Sequence, residues 1–248
     1  MTLEVRRLIG AAARLLEASR RRFCERGRLG RALFPRASVT STVATLLFGA
    51  AGATLYAPQA LAFEHQATFG EMAVYGAAPL PATLEEDVAA AVSRLSKAGF
   101  DAELPPVHVF LTQGGPRWAW LSLPARGAFG VTRPGGRHVV LNRTEDGLVL
   151  NGRTVGGTRP LTDVLAHEFV HVLIEREFGI LGARKLDAQR VEGFADAVAG
   201  SSSLADEEAD AMLARGERHP ALPYVLARRE AEAVMAADGD LKAWLRGR

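Results

Sequence analysis

His167-Glu168-Phe169-Val170-His171 lies inside a long apolar-periodic run that opens at Thr158-Arg159-Pro160. Leu161, Val164, Leu165, Phe169, Val172, Leu173 and Ile174 recur at spacings that give a helix an apolar side. Pro160 suits a first helical turn, and Gly179 and Gly182 are expected to end the helix. His167 and His171 then stand at i and i+4, one turn apart on one face. Two imidazoles so placed can reach one zinc ion at about 2.0–2.1 Å each. Glu168 is the next residue round the helix, beside such an ion as a base and not as a ligand.

A catalytic zinc takes three protein ligands and keeps one position open. The single cysteine, Cys24, lies far upstream, so the donors must be His, Asp or Glu. Arg190-Val191-Glu192-Gly193-Phe194-Ala195-Asp196 places Glu192 21 positions after His171. A turn around Gly179–Gly182 lets a second helix fold back and present Glu192 to the histidines. Asp196 falls one turn beyond Glu192, where its carboxylate can accept the free ring N–H of a ligand histidine.

His-Glu-x-x-His followed after about twenty residues by Glu-Gly-Phe-Ala-Asp resembles the gluzincin branch of zinc metallopeptidases, the thermolysin-like clan. The likeness covers roughly residues 158–200 and points to small bacterial membrane-anchored members. It implies His167, His171 and Glu192 as zinc ligands, Glu168 as general base and Asp196 as the acid behind a ligand histidine. Asp196 replaces Glu192 as ligand in the aspartate-using alternative. A metzincin would need Gly and His where this chain has Ile174 and Glu177. Glu175 continues the helical stripe, but three ligands on one straight helix close poorly into a tetrahedron. Glu175 and Glu177 are expected instead to pair with Arg176 or other surface cations.

The reaction implied is metal-assisted hydrolysis of a peptide or protein substrate, Glu168 taking a proton from water and giving it to the leaving amine. The resemblance asks for an oxyanion donor downstream of Glu192, and the candidates are Tyr224 and His219. Asn142 ends the strand candidate His138-Val139-Val140-Leu141-Asn142, read as a sheet edge that pairs with an extended substrate. The alternative function is an inactive zinc-binding scaffold or assembly factor, in which a side chain caps the metal.

The remainder of the chain sets the architecture. Residues 83–98 read as an amphipathic helix with acids in its first turn. Strand candidates follow at Pro106–Leu111, Trp118–Leu123, Ala128–Val131 and His138–Asn142, separated by Gly/Pro turns. From Pro160 the pattern is helical, with a closing helix over roughly Val225–Trp244. The expected fold is α+β, a small N-terminal sheet followed by a helical half carrying the two motif helices.

Residues 1–36 hold ten arginines against three acids, a charge of +7, while the whole chain is only +2. The 27 residues from Ala37 to Phe63 then carry no charge. Arginines before an uncharged span of this length read as the cytoplasmic flank of a single transmembrane helix. The expected organisation is a basic cytoplasmic tail (1–36), an anchor (37–63), and a zincin-like domain (64–248) on the periplasmic or extracellular side of a bacterial inner membrane. A cleaved signal ending at Ala60-Leu61-Ala62, giving a secreted domain, is the alternative. The arginines are not interleaved with aromatics, so no nucleic-acid partner is expected.

Overall fold

A computed structural model describes residues 45–46, 49–96, 103–152, 157–202 and 204–247. The basic tail and ten of the 27 residues of the expected anchor (37–44, 47 and 48) lie outside them. Among the described residues no helix is long and apolar enough to cross a membrane. The chain divides into two units, residues 1–56 and Ala57–Arg248. The second contains the motif helices. It begins inside the uncharged run: Phe63 packs its ring 5.2 Å from that of Phe110.

The α+β class is borne out. In chain order the second unit contains β1 (His65–Phe69), β2 (Met72–Gly76), α1 (Leu84–Leu95), β3 (His108–Leu111), α2 (Gly115–Leu121), β4 (Gly130–Thr132) and β5 (His138–Leu141). There follow β6 (Arg143–Glu145), β7 (Leu148–Leu150), β8 (Thr158–Pro160), α3 (Leu161–Ala183), α4 (Ala188–Ala199), α5 (Asp206–Ala214), α6 (Leu222–Ala236) and α7 (Leu241–Leu245). The main sheet is mixed, in the order β1-β2-β3-β5-β4, and β6-β7-β8 form a second, antiparallel sheet. β2, β3 and β5 run parallel, while β1 and β4 close the two edges antiparallel.

Alternation sends Val74, Val109, Leu111, Val139 and Leu141 into one buried core with α1, α3 and α4. α3 runs through the middle of it. From Leu161 to Ile174 nearly every side chain is buried, which is why the run is apolar well beyond one stripe. Arg94 fastens the helices together: its guanidinium donates to Asp163 at 2.7 Å and to the carbonyl of Ala199, joining α1, α3 and α4. Of the two glycines expected to end α3, Gly179 breaks it and Gly182 lies within its last turn. Gly179 takes φ 68° and ψ 162°, and helical structure resumes as far as Ala183. The closing helix is observed as α6 and α7, separated by a turn.

Two strand readings need correction. Trp118–Leu123 is not a strand: Gly115–Leu121 forms α2, started by Pro116 in its first turn. A short apolar run fits either structure, and here the proline decides. Trp118 is buried, its Nε1 donating to the carbonyl of Arg126 at 2.8 Å, while Trp120 two positions on is half-buried, so the two indoles share no face. Nor is β5 a sheet edge. It lies between β3 and β4, and β4 is the edge strand.

Candidate metal centre

α3 and α4 are joined by the turn at Gly182–Leu186, and Asp187 caps α4 by accepting from Arg190 N at 3.0 Å. The turn brings the two helices side by side with their motif residues facing. His167 Nε2 and His171 Nε2 lie 3.2 Å apart. The Glu192 carboxylate lies 3.3 Å from His167 Nε2 and 3.6 Å from His171 Nε2. The three side chains are 12%, 20% and 44% exposed, so the donors open outward and are not sealed. His167, His171 and Glu192 can therefore hold a metal ion, each offering one ligand atom.

Asp196 stands on the other side of His167, its Oδ1 2.9 Å from Nδ1. It orients the ring by the nitrogen that does not face the donor cluster, as expected of a supporting acid. Arg159, absent from the sequence reading except as part of a helix start, completes this layer. Its guanidinium donates to Asp196 Oδ1 at 3.2 Å and to the carbonyl and hydroxyl of Ser201 at 2.8 and 2.9 Å. It also lies 5.8 Å from the centre of the Phe129 ring. β8 leads directly into α3, which sets this arginine under the first turn of the motif helix.

The charges reinforce one another. Burial disfavours the charged form of His167, but hydrogen bonds and attraction from Asp196 and Glu192 win and raise its pKa to about 10. Burial likewise opposes ionisation of Glu192, yet His167, His171 and Arg159 pull its pKa down to about 2. Asp196 is held below the ordinary carboxylate range by His167 and Arg159 in spite of its burial. In the metal-free protein a proton on His167 thus occupies the place of a cation. Its folded pKa stands above the ordinary 6.5, so its stabilisation is full below that pH and drains away towards pH 10. The chelated protein is expected to melt at progressively lower temperature between pH 7 and pH 9. With the ion bound, His167 carries no proton and this slope should vanish; thermal melts across the range, with and without metal, measure it.

Gly193 explains how a helix can carry Glu192 here. A Cβ on it would lie 2.6 Å from the backbone and Cβ of Ala227, so α4 and α6 touch along their backbones. Gly193→Ala is expected to cost about 1–3 kcal/mol, read as a lowered melting temperature, because α6 must retreat from α4.

A cleft of about 810 Å³ reaches these residues. Its walls include the segment Pro124–Phe129, the strand β4, Ile174 of α3, Val191 of α4 and Tyr224 of α6. Tyr224 is therefore placed on the wall, 37% exposed. His219 is not: it lies outside the cleft lining, exposed, its Nδ1 accepting from Ala221 N at 3.2 Å at the start of α6. Asn142 does not face the cleft either. Its side chain is spent on the carbonyl of Ala128 and the amide of Arg143, which joins the ends of β4 and β5. Glu177 pairs with Lys242 at 2.7 Å, as expected of a surface acid. Among the described residues Glu175 pairs with no cation; it accepts from the backbone N–H of Gly135 at 2.7 Å. Compared with protein-family models, curated proteins and solved structures, the chain matches none.

Proposed function

We propose that this chain is a zinc-dependent peptidase of gluzincin type, its domain carried outside the cytoplasm by the uncharged run at 37–63. The observation that carries the reading is the donor triangle. Ligand atoms about 2.0–2.1 Å from a tetrahedral ion are about 3.3 Å from one another. The two histidine nitrogens are 3.2 Å apart here, and the Glu192 carboxylate presents Oε2 3.3 Å from His167 Nε2 and Oε1 3.6 Å from His171 Nε2. Two imidazoles and one carboxylate match the donor set of a catalytic zinc with an open position.

When bound, zinc supplies Lewis acidity for the scissile carbonyl and makes water a better nucleophile near neutral pH. The chain's own residues do the rest. Glu168 accepts the proton that water loses as its oxygen joins the carbonyl carbon, and delivers that proton to the amine as the C–N bond breaks. Tyr224, on the cleft wall, is the candidate donor to the developing oxyanion. Asp196 and Arg159 keep His167 aimed.

The free edge of β4 supports a peptide as substrate. Asn142 N donates to Phe129 O, and Arg133 N donates to His138 O. Antiparallel alternation then turns the backbone groups of Gly130 and Thr132 away from β5, towards the open edge. An extended chain can add there as one more strand. An open approach to the donors also favours turnover over a capped scaffold.

The test is digestion of a peptide library by the zinc-loaded protein, read by mass spectrometry. New termini that reveal a cleavage preference are expected. An intact library at one bound zinc per chain would overturn the peptidase reading.

A further inference from the structure

Glu168 is buried, 4% exposed, although its role requires a carboxylate aimed at one place. Two residues of β4, from 36 and 38 positions upstream, enclose it. Thr132 Oγ1 lies 2.8 Å from Glu168 Oε2 and 3.0 Å from the Glu168 backbone carbonyl. That carbonyl already accepts the amide four residues on in the helix ladder, so the hydroxyl hydrogen is better used on the charged oxygen. On the other side, a Cβ at Gly130 would lie 2.7 Å from Oε1 and 2.9 Å from Cγ of Glu168, with Leu141 Cδ2 at 2.9 Å behind it. The carboxylate is thus held on one oxygen, and the other lies in the space that the missing Cβ of Gly130 leaves.

We infer that Thr132 is a positioning residue for Glu168, with Gly130 providing the space in which the carboxylate lies. The inference rests on the peptidase reading for its catalytic consequence, and on the Thr132–Glu168 contact alone for its physical basis. Among the described residues, every hydrogen bond of the Thr132 hydroxyl goes to Glu168. A threonine here serves no other polar group, and valine would fill the same volume. The strand also gives the pair a second connection. Gly130 and Thr132 are the β4 residues whose main-chain groups face the open edge, so the strand that can take up an extended chain is the one that aims the base. A free glutamate side chain has three rotatable bonds. Misplacing a reacting group by about 1 Å can cost about 100-fold in rate.

The experiment compares Thr132→Val and Thr132→Ser with wild type, all zinc-loaded. Thr132→Val is expected to lower kcat roughly 10- to 100-fold with KM within about twofold and metal content unchanged. Thr132→Ser, which keeps the hydroxyl, is expected to restore kcat to within about threefold of wild type. A valine variant with wild-type kcat, or a serine variant as impaired as valine, overturns the positioning role. A cycle of melting temperatures adds a readout that needs no turnover. Thr132→Val should lower the melting temperature by roughly 2–4 °C in the wild-type background and by clearly less beside Glu168→Ala. Equal losses in both backgrounds overturn the contact itself. A wild-type protein that cleaves nothing would defeat the peptidase reading, and the cycle would still decide whether Thr132 holds Glu168.

Discussion

Glu168→Gln is expected to lower kcat/KM about 10²- to 10⁴-fold while the protein stays folded and binds one metal ion per chain. The exchange keeps the shape of a side chain that is 4% exposed and packed against Gly130. The glutamine carbonyl can still accept from Thr132 Oγ1, now 2.8 Å from Oε2 of the acid. The donor triangle does not include Glu168, so metal affinity should change little. What disappears is the capacity to take a proton from water and return it to the amine. Steady-state cleavage of one susceptible peptide, with metal content measured on the same samples, checks the expectation. Equal rates for the two proteins would remove Glu168 from its role.

Arg159→Met should produce the largest loss of stability. The guanidinium and the Asp196 carboxylate form a buried pair, 9% and 8% exposed. Removing one member leaves the other's charge buried, at a cost of about 3–5 kcal/mol. His167 still contacts Asp196 at 2.9 Å, which places the expected value at the lower end, about 3 kcal/mol. Ser201 loses its link to β8 as well, since its carbonyl and its hydroxyl both accept from Arg159. Lysine should rescue poorly, because a single ammonium cannot span Asp196 and Ser201 as the planar fork does. With Asp196 less constrained, His167 is held less firmly, and zinc affinity should fall about 10- to 100-fold. Denaturant titration of the chelated variant and zinc competition on the same preparation separate the two effects. A variant with wild-type stability and affinity would make the Arg159 contact incidental.

The parts of this site that share a helix were legible in the sequence. His167 and His171 need only helical periodicity to meet, and Glu192 and Asp196 follow at another helical spacing after one turn. Helix 83–98 was equally plain from the acids of its first turn, observed as Glu85, Glu86 and Asp87 of α1. What was misread depends on neighbours distant along the chain. His138–Leu141 looks the same whether it lies at an edge or inside a sheet; its place was fixed by β4, which precedes it and pairs outside it. Asn142 was drawn into the site by that mistaken edge. Arg159, Thr132 and Gly130 reach α3 and α4 from strands, and no periodic signal links them to the motif. His219 and Tyr224 differ by five positions, yet only the helix carrying Tyr224 turns it to the cleft. The one readable hint was Gly193. A glycine beside a ligand glutamate in mid-helix marks a close approach, and α6 is what approaches.

The central claim is that His167, His171 and Glu192 hold a zinc ion that peptide hydrolysis requires. Its most direct measurement follows one peptide through three states of the purified protein: as loaded with zinc, after chelation, and after return of one equivalent of zinc. Hydrolysis should be present, lost and restored, and the His171→Ala protein should stay inactive at the same added zinc. Hydrolysis that survives complete chelation, or none at full zinc occupancy, would contradict the account.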